Sequence, residues 1–283
     1  MPKQPVTEQD ISKQKNHQQK PIVLTIAGSD SGGGAGIQAD IKAISATGGY
    51  ACSVITALTA QNTQGVTAVH PTPQHIIQAQ LDAVFSDLAV TAVKVGMLGD
   101  SDTIRTVAAA LRRYRPAHLV VDPVMVTANG DMLLADDAVN CLREELLPLA
   151  DVITPNLPEA AALLDAPLPT RLDDVESLFV GLAKLDCGAV LLKGGFLQQE
   201  ARSPDWLLSA GQVRCFDTPR VMTGNTHGTG CTLSAALACY LGQGFTMEEA
   251  VARAKHYIDQ AILAGSRVRI GQGRGPVDHF FAL

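Results

Sequence analysis

The chain has 283 residues, enough to bury the core of one large α/β domain or of two small ones. Its net charge is −6, it has no Lys/Arg stripe, and only 4% of its residues are aromatic, so it offers neither the basic surface nor the stacking platforms of a nucleic-acid binder. Six cysteines, scattered and without a C-x-x-C pair, suit a reducing compartment better than a disulfide framework or a zinc site.

Residues 1–20, MPKQPVTEQDISKQKNHQQK, are polar and rich in Gln and Lys, which predicts a disordered leader. No apolar h-region follows, so the leader does not read as a secretory signal. The longest apolar stretch, around LSAALACYL, falls well short of the roughly 20 residues that span a bilayer. A cytoplasmic protein is expected, with residues 21–283 as a single domain.

From Pro21 onward short β-rich runs alternate with longer helical patterns. IVLTIA, YACSVIT, TAVKVG, HLVVDPV, DVITPN and GAVLLKGG read as strands, several of them apolar on both faces. GIQADIKAISATG, PQHIIQAQLDAVFSDL, SDTIRTVAAALRRYR and ADDAVNCLREELLPLA read as helices between them. Such βαβ alternation predicts an α/β fold with a mostly parallel sheet and helices on both faces. DWLLSAGQVRCFDTP predicts a hairpin turning at Ala210-Gly211, at a sheet edge, and two helices close the chain, TGCTLSAALACYLGQG and TMEEAVARAKHYIDQAILAG.

In such folds ligands gather outside the carboxyl ends of the strands. Four places there carry chemistry. The first is SDSGGGAGIQAD, residues 29–40, whose glycines allow close backbone approach and which runs from a strand into a helix. Gly34 to Ala39 fits the G-x-G-x-x-G/A dinucleotide pattern, but the second strand end, TALTAQN, lacks the acidic ribose ligand, which argues against an NAD-dependent dehydrogenase. Asp40 on its own could be a solvated residue of the first helix.

The second place is TGNTHGTGCT, residues 223–232, running into an apolar helix. Backbone N–H groups of Gly228, Thr229, Gly230 and Cys231 there favour phosphate or developing negative charge, although the same pattern also suits a capped helix and nothing more. No Walker motif is present. A thiol in the first helical turn, Cys231, is expected to have a lowered pKa and to serve as a base, the alternative being a small packed cysteine. Asp122, and Asn156 with Glu159 in NLPE, are oxygen ligands at strand ends that suit Mg²⁺; Asn-x-x-Glu is also a capping pattern, and both readings can hold. Lys193 ends a buried strand where it could contact phosphate. His227 receives no catalytic role.

Taken together, AGSDSGGGAGIQADIK, CSVITALTAQNTQGV, KVGML, DPVM, ITPNLPEAAALL, VLLKGG, SPDWL and NTHGTGCTLSAALA resemble the ribokinase-like superfamily, and within it the hydroxymethylpyrimidine/phosphomethylpyrimidine kinases of thiamine biosynthesis. The resemblance runs from Pro21 to Phe280; Ser31-Gly32-Gly33-Gly34 varies the family's usual first loop, and the leader has no counterpart. It implies a three-layer α/β/α sandwich with a mostly parallel central sheet, a homodimer, and ATP with Mg²⁺. It further implies phosphorylation of 4-amino-5-hydroxymethyl-2-methylpyrimidine to its monophosphate and then to the pyrophosphate. Carried over by position, Asp40, Gln61, Met97 and Val124 would hold the pyrimidine, while Thr229, Asn156 and Lys193 would meet ATP. Gly228 and Gly230 would form the anion hole with Cys231 as base, and Asp122 and Glu159 would hold Mg²⁺ through water. Two rivals share the fold: a pyridoxal/pyridoxine kinase, since that ring also carries a hydroxymethyl group, and a non-catalytic binding protein.

Overall fold

The structure is a computed structural model and describes residues 20–125, 136–197 and 200–283. The predicted leader lies, except for Lys20, outside the described residues.

Among the described residues nine strands form one sheet in the order β3-β2-β1-β4-β5-β6-β7-β8-β9. β1 (Ile22–Asp30) pairs in parallel with β2 (Tyr50–Asn62) and with β4 (Val90–Val95), and β5 (His118–Val121), β6 (Val152–Ile153) and β7 (Ala189–Lys193) extend the parallel run. The edges are antiparallel: β3 (Gly65–Pro71) on one side, and the β8–β9 hairpin (Asp205–Ser209, Gln212–Phe216) on the other. The hairpin turns where predicted, with Ala210 and Gly211 both at positive φ, the geometry of a tight turn matched to strand twist.

The alternation within each strand separates two cores. Leu24, Ile26, Val93, Val95 and Val121 pack beneath α2 (Gln74–Asp87) and α3 (Ser101–Tyr114). Val23, Ala92, Val120 and Leu191 face α1 (Gly36–Ala46), α7 (Thr229–Gly242) and α8 (Met247–Gly265). Helices thus cover both faces, the three-layer sandwich that the sequence led us to expect. Helix α7 is buried almost all round; its run of Ala and Cys lets it lie close on the central strands.

The predicted helix over ADDAVNCLREELLPLA is instead broken. α4 (Asp136–Cys141) passes into a wide turn at Leu142–Leu146 and a 3₁₀ turn at Leu147–Leu149, where Pro148 has no N–H to continue the ladder. Two short helices follow in chain order, α5 (Leu157–Leu164), capped as NLPE predicts, and α6 (Phe179–Leu182).

Candidate active site

The strand face beneath α7 ends in a row of polar groups. Thr25 on β1, Lys94 on β4, Asp122 after β5, Thr154 after β6 and Lys193 on β7 each stand two residues beyond an apolar residue of that face (Val23, Ala92, Val120, Val152 and Leu191), and all five are buried. Lys193 Nζ lies 2.7 Å from Asp122 Oδ1, which also accepts from the Thr154 hydroxyl at 2.9 Å. Ser234 of α7 donates to Asp122 Oδ2 at 3.3 Å. Burial works against the charges, but the pairing outweighs it: Lys193, then Lys94, hold Asp122 below the usual carboxylate range, and Asp122 raises Lys193.

Two glycine loops meet above this row. In the first, the Asp30 carboxylate gathers the backbone N–H groups of Gly32 (2.8 Å), Gly34 (3.0 Å) and Ala35 (2.8 Å). Its Oδ2 is also 2.9 Å from His227 Nε2, in the second loop. Burial opposes the Asp30 charge, yet His227 and these N–H donors outweigh it and hold its pKa below the ordinary value. Asp30 thus clasps the two loops together, a pairing that the sequence does not suggest for Asp30 or for His227, because nothing local links residues this far apart.

Gly228 shows how close the loops come. It has φ +77°, and a Cβ there would lie 1.8 Å from the Gly34 carbonyl oxygen. After it, hydrogen bonding within α7 begins with Thr232 N–H to Gly228 O at 2.9 Å. The N–H groups of Gly230 and Cys231 therefore open the helix without acceptors inside it. A Cβ on Gly230 would lie 3.2 Å from Lys193 Nζ and 3.6 Å from Asp122 Oδ2, so this N-terminus sits directly over the ion pair.

One cavity of about 950 Å³ runs across these strand ends. At one end Gln61, Met97 and Val124 line it, with Thr59; the Thr59 hydroxyl donates to Ser29 O at 2.9 Å and is 3.1 Å from Gln61 Oε1, which orients the amide. Asp122, Glu159, Lys193 and Asn156 form the middle, beneath Gly228, Thr229, Gly230 and Cys231. At the far end lies a cluster that sequence reasoning missed. Lys255 Nζ is 3.0 Å from Asp205, 3.6 Å from Asp259 and 2.8 Å from Ser203 O, all of which line the same cavity.

Asp40 is the exception. It is fully buried, does not line the cavity, and has both oxygens on Lys94 Nζ, at 3.0 and 2.9 Å. The expectation that it meets a ring edge is corrected: its carboxylate is already committed to a buried lysine and to the Thr25 hydroxyl at 2.5 Å. The expected lowering of the Cys231 pKa is corrected too. Burial pushes the thiol up to about 11, against the opposing pull of Lys94 and of the Gly36 N–H directed at it.

The family model described as phosphomethylpyrimidine kinase matches residues 30–278, a span that takes in the meeting of the two loops, the Lys193–Asp122 pair and most of the cavity lining. The chain belongs to that family. The hydroxymethylpyrimidine/phosphomethylpyrimidine kinase of Escherichia coli K12 is 49% identical to it over 259 residues, which covers 92% of this chain and 97% of that one. The crystal structure of phosphomethylpyrimidine kinase from Clostridium difficile superposes with a TM-score of 0.75 at 43% identity, covering 86% of this chain and 100% of that one. A pyridoxal kinase from Bacillus subtilis, solved as an ADP complex, superposes with a TM-score of 0.85 at 34% identity, covering 92% of this chain and 98% of that one.

A kinase of this family invites the question of Mg²⁺. Among the described residues no group of three or more His, Cys, Asp or Glu side chains is arranged to hold a metal ion unaided. The donors present suit an ion bound mainly by substrate phosphates and water, with one or two carboxylates. Glu159 Oε2 accepts the Asn156 N–H at 2.8 Å, while Asn156 Oδ1 accepts the Glu159 N–H at 2.9 Å, so the capping reading of this motif is realised. Burial, with Asp122 adding to it against Lys193, pushes Glu159 up to about 7. Two carboxylates facing one lysine leave a place for further positive charge.

Proposed function

We propose that this cavity phosphorylates the hydroxymethyl group of 4-amino-5-hydroxymethyl-2-methylpyrimidine with ATP, and then phosphorylates the monophosphate, as in thiamine biosynthesis. The observation that carries the reading is the N-terminus of α7 seated over the Lys193–Asp122 pair, with Cys231 beside it and Gln61 in the same cavity.

Phosphoryl transfer depends on positioning and electrostatics more than on covalent chemistry. The pyrimidine lies between Met97 and Val124, with the Gln61 amide reading a ring edge. Its hydroxyl oxygen attacks the γ-phosphorus of ATP, the bond to the ADP oxygen breaks, and the hydroxyl proton passes to the Cys231 sulfur, which enters the step as its thiolate. The N–H groups of residues 228–231 receive the charge on the transferring group. Lys193, Thr229 and Asn156 hold the phosphates. Asp122 and Glu159 would hold Mg²⁺ through water, and the ion, when bound, would neutralise phosphate charge and draw the raised Glu159 towards its ionised form.

We further read residues 21–283 as one catalytic domain of a cytoplasmic homodimer. Among the described residues no helix is long and apolar enough to cross a membrane.

The superposition with pyridoxal kinase favours a second reading, vitamin B6 phosphorylation in the same cavity. Incubation with Mg-ATP and either the hydroxymethylpyrimidine or pyridoxal, with products followed by mass, separates the two. A monophosphate and then a pyrophosphate of the pyrimidine is the expected result; phosphate on pyridoxal alone would transfer the assignment to vitamin B6.

A further inference from the structure

The stretch GQGRG, residues 271–275, follows α8 and borders the cavity through Gly273 and Arg274. Its backbone is pinned on both sides of the arginine. A Cβ on Gly273 would lie 2.2 Å from the Thr63 carbonyl oxygen, and one on Gly275 would lie 2.4 Å from Asn225 Oδ1. The Arg274 N–H donates to Thr63 O at 2.8 Å, two residues past Gln61, and Gly275 O accepts the His227 N–H at 3.0 Å. The side chain reaches the second glycine loop, where Nε donates to the Thr226 hydroxyl at 2.6 Å. The Thr226 carbonyl in turn accepts the hydroxyl of Thr229, in the first turn of α7, at 2.8 Å. The guanidinium is thus seated between the β2–β3 turn and the loop that leads into α7, on the Gln61 side of the cavity. The cavity's other lysine and arginine residues stand elsewhere. Lys193 lies on Asp122 in the middle, and Lys255 lies on Asp205 and Asp259 at the far end. Arg220 joins that far end, donating to the carbonyls of Gly195, Glu200 and Arg202.

We propose that Arg274 binds the phosphate of the pyrimidine monophosphate in the second transfer, and so lets one cavity accept both a neutral alcohol and its phosphate ester. The inference rests on the kinase reading above. In the first transfer the acceptor is an uncharged hydroxyl, and a base must take its proton. In the second, a phosphate oxygen of the monophosphate forms the bond to the γ-phosphorus as the bond to the ADP oxygen breaks. That acceptor carries about −1.5 to −2 charges near pH 7, so the site must supply positive charge more than a base. The N–H groups of residues 228–231 are by then taken by the transferring group, and the acceptor's own phosphate needs a separate partner. Arginine fits this role, because it stays protonated and its planar fork matches phosphate oxygens. Burial lowers the Arg274 pKa from its ordinary value, a cost that a phosphate dianion beside it would offset.

The test is isothermal titration of the whole chain with three ligands in turn: the hydroxymethylpyrimidine, its monophosphate, and Mg-ADP. Arg274→Met should weaken the monophosphate roughly 10- to 100-fold, the usual size of a lost charge-assisted hydrogen bond, and the alcohol by less than about threefold. Thr226→Val keeps the charge but removes the anchor on Nε, and should give a smaller loss, again selective for the monophosphate. A merely structural segment would weaken both pyrimidines together in either variant. If Arg274→Met does not fold, Arg274→Lys replaces it; it keeps a charge without the fork, and a smaller selective loss is expected. Equal losses for the two pyrimidines, no loss for the monophosphate, or a loss confined to Mg-ADP would overturn the proposal and leave the kinase reading standing. An unmodified chain that binds neither pyrimidine would overturn the kinase reading, and this inference with it.

Discussion

Gly228→Ala tests the meeting of the two loops with a single methyl group. The new Cβ would lie 1.8 Å from the Gly34 oxygen, whereas real Cβ atoms essentially never approach closer than 3.0 Å, so the loops must part by about 1.2 Å. The left-handed conformation adds about 1–2 kcal/mol for a non-glycine residue. For a chain of this size that strain corresponds to a fall in Tm of roughly 2–8 °C. The larger effect falls on catalysis, because a misplacement of about 1 Å at a reacting centre can lower the rate roughly 10²-fold. Gly224→Ala is the control: Gly224 lines the same cavity, has no positive φ, and a Cβ there meets nothing within 4 Å. Steady-state turnover of the pyrimidine and thermal unfolding of both variants decide the matter. If Gly228→Ala turned over within a fewfold of the unmodified enzyme at an unchanged Tm, the reasoning about loop contact would be refuted.

Cys231→Ala should fold normally and lose about 10²–10⁴ in turnover, the usual contribution of a proton acceptor; near-normal turnover would remove that role from the sulfur and leave the kinase reading intact. Lys193→Met leaves Asp122 buried without its cation and should lower stability by about 3–5 kcal/mol; adding Asp122→Asn should restore most of the stability in denaturant titrations and none of the activity. Asp30→Asn replaces an all-acceptor group with one that must present N–H₂ to the loop donors, so it should destabilise by about 1–3 kcal/mol for each group left unsatisfied. Because the fold lowers the Asp30 pKa, its contribution is full above the unfolded value of about 3.9 and is lost as pH falls through the lower folded value. Chemical denaturation of the asparagine variant should therefore lose part of its pH dependence below about pH 4.

The sheet and the site loops were legible because their signals are local. Apolar strands alternate with amphipathic helices, and glycines fall where strands end. Strand β3 escaped notice because Gly65–Pro71 is an exposed antiparallel edge with no buried face to impose a pattern. The polar row was half visible: Asp122 and Lys193 stand at strand ends, but Lys94 is hidden in an apolar run and takes its meaning from Asp40, 54 positions away. Asp40 did carry a usable warning. Ile37, Asp40 and Ile44 share one helical stripe, and that stripe is the buried side of α1. The Asp30–His227 clasp and the Lys255 cluster had no such marker, since each joins residues brought together only by tertiary folding.

The most direct measurement is a crystal structure of the protein with ADP, Mg²⁺ and the hydroxymethylpyrimidine. The account places the ADP phosphates at the N–H groups of residues 228–231 over Lys193, and the ring between Met97 and Val124, with its hydroxymethyl oxygen at the Cys231 sulfur. Phosphates bound instead in the first glycine loop, at Gly32–Gly36, would contradict it.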